Sequence, residues 1–262
     1  MHYYFKYGIP IHNSEAGKRK LVAFIDWVGP IKSAAIVGKG ASILESSPKE
    51  LIQSCNFRCL MNTMDMDYLQ PYIGDRFDAQ MTTHIGRVNS LMPVFSQELI
   101  SKYKIKLLIC NSTKTYASGM VVRDYWNYFS NRVSHISCME EDSDVYFDGD
   151  AEKYGGHGLG ITANLLRMLY EVKSLEKIVF AGIDAFHFGY AYGDTSSGST
   201  KVFYGINASS ADPLVTHGKP FLKFLFFTLN EINKERYLEV WFPKILQKFI
   251  SFPDALYYKF YD

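Results

Sequence analysis

The sequence predicts a single α/β domain in which helices cover a mainly parallel sheet, and three observations predict it. Short apolar runs rich in β-branched residues alternate with longer stretches of helical period, the pattern of strands joined by crossover helices. A chain of 262 residues with 47% hydrophobic content is long enough for one large core carrying a small insertion. A glycine-rich turn, Gly38-Lys39-Gly40, directly follows the first apolar run, where sheets of this kind bring backbone close to a ligand.

Taken in order, strands are predicted at Ala34 to Val37, Phe57 to Met61, Ala79 to Thr82, Ile105 to Cys110, Ile178 to Ala181 and Leu238 to Phe242. Helices are predicted at Pro48 to Ser54, Phe95 to Tyr103 and Thr162 to Lys173. In the last of these, Ile161, Leu165, Met168, Leu169 and Val172 recur along one face. At the C-terminus, Trp241, Phe242, Ile245, Leu246, Phe249 and Ile250 share one helical face opposite Lys244, Gln247 and Lys248, with Pro243 suited to a first turn. Such a basic amphipathic segment predicts peripheral contact with an anionic membrane surface or docking onto its own domain. Residues 1 to 30 receive no assignment.

Two stretches break the pattern. Met139 to Asp150 holds a run of acidic residues and reads as a solvated loop. Asp194 to Asp212 is rich in Gly, Ser and Ala without apolar periodicity, and loops of this length inside a compact domain are commonly either disordered or active-site lids. It lies immediately before His217.

Composition narrows the partners. With 28 basic against 27 acidic residues the net charge of +1 gathers no polyanion, so nucleic acid is not an expected partner. The 19 Tyr and 19 Phe include rings suited to sugar and base faces, although most belong to the core. Cys55, Cys59, Cys110 and Cys138 follow no dense disulfide pattern and read as reduced thiols of a cytoplasmic protein. Cys55 and Cys59 have the spacing to face each other across a helical turn, but no second pair with ligand spacing completes a zinc site. The chain does not open with a basic region leading into an apolar stretch, and no window is apolar enough to span a bilayer.

The turn Val37-Gly38-Lys39-Gly40-Ala41-Ser42 lacks the third glycine of a dinucleotide fingerprint, because Ile43 stands there, and lacks a phosphate-loop Gly-Lys-Ser/Thr ending. A full NAD or ATP site is therefore disfavoured. A second stretch, Gly155-Gly156-His157-Gly158-Leu159-Gly160-Ile161-Thr162, opens the clearest helix. It reads either as a cradle for a carboxylate or phosphate at a helix N-terminus or as close packing at the start of that helix.

These pieces together resemble the bacterial family-42 sialyltransferases, which elongate lipooligosaccharide from CMP-sialic acid. The resemblance rests on Val37 to Ser42 as the nucleotide loop, on Phe57-Arg58-Cys59-Leu60-Met61-Asn62 as the next strand ending in asparagine, and on Gly182-Ile183-Asp184 with Tyr190-Ala191-Tyr192 leading into the lid. It implies a Rossmann-like nucleotide-binding domain of variant glycosyltransferase A type, made of residues 1–185 and 218–262, with 186–217 as a lid. It further implies an inverting transfer to a terminal galactose-type hydroxyl. His217 stands where the family places its general base, and histidine's ordinary pKa of about 6.5 suits that task near neutral pH. Tyr190 corresponds to a tyrosine that donates to the departing phosphate. Gly38, Lys39, Gly40, Ser42, Asn62, Gly160, Thr162 and Asp184 are the nucleotide-binding candidates.

Two departures stand out. The family's second phosphate-binding tyrosine aligns with Phe186, which has no hydroxyl, leaving His187 or Tyr192 as replacement donors, and Lys39 stands where the family has asparagine. Asp65-Met66-Asp67 has the spacing that holds a divalent cation in many glycosyltransferases using nucleotide diphosphates. A monophosphate leaving group needs such a cation far less, so no metal or other cofactor is expected and the pair reads as surface carboxylates. The partners implied are a nucleotide-sugar donor, a glycan acceptor, the inner membrane face for peripheral contact, and a second copy of the chain in a homo-oligomer. Transfer of another nonulosonate or nucleotide sugar, a catalytically silent nucleotide- or glycan-binding domain, and a nucleotide-dependent methyltransferase remain as rival readings.

Overall fold

A computed structural model describes residues 24–38, 40–61, 66–82, 97–110, 135–138, 162, 165–166, 168–183, 225–226, 229–230, 232–249 and 258–262. Among the described residues eight strands form one sheet: β1 Ser33–Val37, β2 Phe57–Met61, β3 Ala79–Thr82, β4 Leu107–Cys110, β5 His135–Cys138, β6 Lys177–Ala181, β7 Glu239–Pro243 and β8 Tyr258–Tyr261. Their order across the sheet is β5-β4-β3-β2-β1-β6-β7-β8, and every adjacent pair is parallel. The chain walks outward from β1 to β5, returns to place β6 beside β1, and walks outward again. Ligands in open sheets of this kind bind beyond the carboxyl ends of the strands at that reversal.

The six predicted strands are present, Phe57–Met61 and Ala79–Thr82 with the predicted bounds and the other four with one or both ends shifted by one or two residues. Their central members are buried on both faces, so they read as continuous apolar runs: every residue of β2 is buried, as are the last four of β1 and of β6. β5 and β8 lie outside the sequence prediction. Both are four-residue edge strands, and β8 alternates only partly, with Tyr258 and Tyr261 buried and Lys259 exposed between them. Helices at Lys49–Gln53 and Gln97–Lys102 match the prediction, and Thr162, Leu165, Leu166, Met168, Leu169 and Tyr170 are helical as expected. All six of these side chains are buried, a wider apolar face than one stripe. Helices at Ser42–Ser46 and Met66–Ile73 also lie outside the prediction.

The C-terminal reading is corrected. Residues 239–243 form β7, followed by a 3₁₀ helix at Lys244–Phe249, rather than one amphipathic α-helix. Trp241 and Phe242 are consecutive strand residues and therefore point to opposite faces of the sheet. Phe242 is fully buried, stacked on Phe180 with ring centroids 4.9 Å apart and met edge-on by Tyr258 at 5.5 Å. Leu246 is buried as well. These two residues serve the core and not a membrane face. Among the described residues no helix is long and apolar enough to cross a membrane.

On the other face of β7, Trp241 lies under two ammonium groups, Lys177 Nζ at 5.1 Å and Lys259 Nζ at 5.4 Å from the ring centroid. Glu239 accepts from Trp241 Nε1 and, at 2.6 Å, from Lys259 Nζ. Burial works to raise the Glu239 pKa, but the hydrogen bonds from Lys259 and Trp241 outweigh it and hold the carboxyl below its ordinary value of 4.5. A folded-state pKa below the unfolded one gives stability that is present above pH 4.5 and lost as pH falls through the folded value. The melting difference between wild type and Glu239→Gln at about pH 7 is therefore expected to shrink by about pH 3. Thermal melts that keep the same gap at both pH values would refute it.

The amino ends of the strands are tied by polar side chains. Asn56 Oδ1 accepts from the backbone N–H groups of Lys32 and Ser33, at 3.1 and 3.2 Å. Arg58 is only 1% exposed although charged, and a single Asp78 oxygen accepts from its backbone N and its Nε, each at 2.9 Å, and is ion-paired with Nη2 at 2.9 Å. The Asp78 carbonyl in turn accepts from the N–H groups of Lys106 and Leu107 ahead of β4. One acidic residue thus links β2, β3 and β4 at the end of the sheet remote from the expected site.

Candidate active site

At the reversal between β1 and β6 the two strands pair in register, Val37 opposite Ala181, and the pairing continues past their ends. Gly38 N donates to the Ala181 carbonyl at 2.7 Å, and Gly40 N donates to the Gly182 carbonyl at 2.9 Å. The turn after β1 is thereby sewn to the turn after β6. Gly182 sits at φ +61°, a left-handed conformation that favours glycine. A Cβ there would lie 2.5 Å from Ile43 Cδ1 and 2.7 Å from the Gly38 carbonyl oxygen. A Cβ on Gly38 would collide with the Gly182 carbonyl and come within 2.6 Å of Ile183 Cδ1.

Of the residues selected from sequence, Gly38, Gly40 and Ser42 are brought together at the carboxyl end of β1. Gly38 and Gly40 are buried, Ser42 is fully buried, and the helix Ser42–Ser46 starts there, with Ser46 Oγ donating to the Ser42 carbonyl at 2.7 Å. The N–H groups of Gly38 and Gly40 are bonded to the Ala181 and Gly182 carbonyls, so these two amides do not serve as anion donors. Thr162 is helical and 4% exposed. Lys39, Asn62, Gly160, Asp184, Tyr190 and His217 lie outside the described residues, as do Phe186, His187 and Tyr192.

Gly182, placed by the sequence at the entry to the lid, also shapes the site by packing against Gly38, and Ile43, which the sequence marks only as the missing third glycine, closes that contact. The available signal was a glycine directly after a fully apolar run, the mark of a chain that must turn sharply at a strand end. Ile43 gave none, since an isoleucine in the third-glycine position reads as a broken motif and not as a packing element.

The cysteine reading is also corrected in geometry. Cys55 lies in the turn before β2 and Cys59 within it, so they do not face each other across a helical turn. Burial pushes the Cys59 thiol far above its ordinary range, with the Asp78 carboxylate adding to the effect. Cys55 is raised by burial against the opposing pull of Lys177, Ser33 and Arg58. Both thiols are buried, Cys55 at 3% and Cys59 at 0% exposure. Among the described residues no group of three or more His, Cys, Asp or Glu side chains is arranged to hold a metal ion, and Asp65 and the side chain of Asp67 lie outside what the structure describes.

No family model matches the sequence, and no curated protein sequence matches it. Among solved structures the chain is similar to the monofunctional α-2,3-sialyltransferase Cst-I from Campylobacter jejuni, with TM-score 0.54 and 16% identity over 88% of this chain and 81% of that one. It is also similar to the sialyltransferase CstII from Campylobacter jejuni in complex with the substrate analogue CMP-3FNeuAc, with TM-score 0.44 and 15% identity over 87% of this chain and 88% of that one. A mammalian sialyltransferase follows at TM-score 0.38 and 14% identity, over 82% of this chain and 76% of that one. The resemblance seen in the sequence holds at the level of architecture: the chain has the α/β fold of the sialyltransferase Cst-I.

Proposed function

We propose that the protein is a glycosyltransferase that moves a sialic-acid-type sugar from CMP to a terminal galactose-type hydroxyl of a cell-surface glycan, with inversion and without a metal. The observation that supports this reading most is the sewn pair of glycine turns at the β1/β6 reversal, on a fold shared with Cst-I. In the reaction the acceptor oxygen attacks the anomeric carbon as the bond from that carbon to the phosphate oxygen breaks. His217 takes the acceptor proton, and the CMP phosphate leaves with the bonding pair while Tyr190 donates a hydrogen bond to it. Asn62, next in sequence after β2, and Asp184, next after Ile183, are assigned to contacts with the nucleoside.

Calorimetry with CMP, UDP and GDP, followed by turnover of CMP-sialic acid with and without chelator, tests the reading. Preferential binding of CMP and chelator-insensitive turnover are expected. A preference for UDP that requires manganese would overturn it and direct attention to Asp65 and Asp67. Tight CMP binding with no turnover would instead support a silent binding domain, the reading that Phe186 favours.

A further inference from the structure

We propose that Gly38 and Gly182 are positioning residues: their mutual backbone contact welds the turns after β1 and β6 into one rigid floor, and this floor sets where the nucleotide lies. The inference rests on the donor reading above and adds a part that reading does not contain. Four observations carry it. Gly38 N bonds the last carbonyl of β6, at Ala181, and Gly40 N bonds the Gly182 carbonyl in the turn beyond it. Neither glycine has room for a methyl group, and in each case the obstacle includes backbone of the other turn, which cannot move aside as a flexible side chain would. Gly182 holds a positive φ. Ile43 closes the contact from the start of the following helix and is itself fully buried.

The chemistry that follows is recognition by shape. With the amides of Gly38 and Gly40 bonded to the Ala181 and Gly182 carbonyls and all three glycines buried, the weld leaves the phosphate to other groups and acts by fixing the surface that frames the nucleotide. A side chain at Gly38 would separate the turns and displace that surface, and displacement on the scale of 1 Å at a reacting centre is costly in rate and binding.

Gly29 supplies an internal control, because it has φ +68° but no atom within 4 Å of the place a methyl group would occupy, whereas Gly182 combines a similar φ with crowding. Gly29→Ala carries conformational strain alone and is expected to lower the melting temperature by about 2–8 °C with CMP affinity unchanged. Gly38→Ala, measured well below its own melting midpoint, is expected to weaken CMP binding about tenfold or more. A folded Gly38→Ala that binds CMP as the wild type does would overturn the proposal. Should that variant not fold, amide hydrogen exchange on ligand-free wild type decides: protection of the Gly38 and Gly40 amides equal to that of β1 supports the weld, and exchange at the rate of open loops overturns it. A wild type that ignores CMP removes the donor reading instead, and the exchange rates still judge the weld.

Discussion

An Asp78→Ala variant is expected to melt about 6–20 °C below the wild type. Asp78 is the acceptor for the backbone and guanidinium of Arg58, whose side chain is 2% exposed. Without the carboxylate, the only remaining acceptors for that guanidinium among its described contacts are the carbonyls of Gln53 and Asn56 at 3.4 and 3.5 Å. Breaking a buried pair on one side costs about 3–5 kcal/mol because an uncompensated charge stays inside. That is a large share of the roughly 5–15 kcal/mol that holds a typical domain together. Replacing both members, Arg58→Met with Asp78→Asn, removes the stranded charge and should recover much of the loss. Melting curves of the three proteins check this, and an Asp78→Ala midpoint matching the wild type would refute the assignment of the pair as a structural clamp.

His217→Ala is expected to lower sugar transfer about 10²–10⁴-fold while leaving CMP affinity unchanged. A general base must be unprotonated to act, so wild-type kcat/KM should rise with pH through the imidazole range near neutrality and then level off. The residual activity of the variant should lack that rising limb. Turnover that survives the substitution, with the same pH profile, would remove His217 from the mechanism without touching the donor assignment. The two readouts separate base from binding residue, since loss of a nucleotide contact would raise the dissociation constant for CMP as well.

The sheet was largely legible because its central strands are buried on both faces, and Ala34 to Val37, Phe57 to Met61 and Ile178 to Ala181 therefore carry unbroken apolar signals. The edge strands carried weaker ones. β8 is short and keeps Lys259 exposed at mid-strand, and β7 ends in Pro243, which invites a helix-start reading although the residue closes a strand. Propensity alone could not arbitrate there, because Trp241 and Phe242 satisfy a helical stripe as well as two opposite sheet faces. In the site, the positions of Gly38, Gly40 and Ser42 were legible from the turn chemistry, but the direction of the two glycine amides was not. That direction is set by Gly182, which follows β6, and only the strand order brings β6 beside β1. The partnership of Arg58 with Asp78 was hidden for the same reason, since it joins two strands through a register that local sequence does not encode.

The placement of β6 beside β1 also bears on how the protein is made. The two strands are separated by about 140 residues of sequence, so the middle of the sheet cannot close until most of the chain has left the ribosome. At synthesis rates of about 5–20 residues per second that interval lasts roughly 7 to 30 s. Throughout it the nascent β1 presents one bare, largely apolar edge to solvent, a template for mispairing. Yield in a heterologous host should therefore depend on chaperone capacity and growth temperature more than on the final stability of the folded protein.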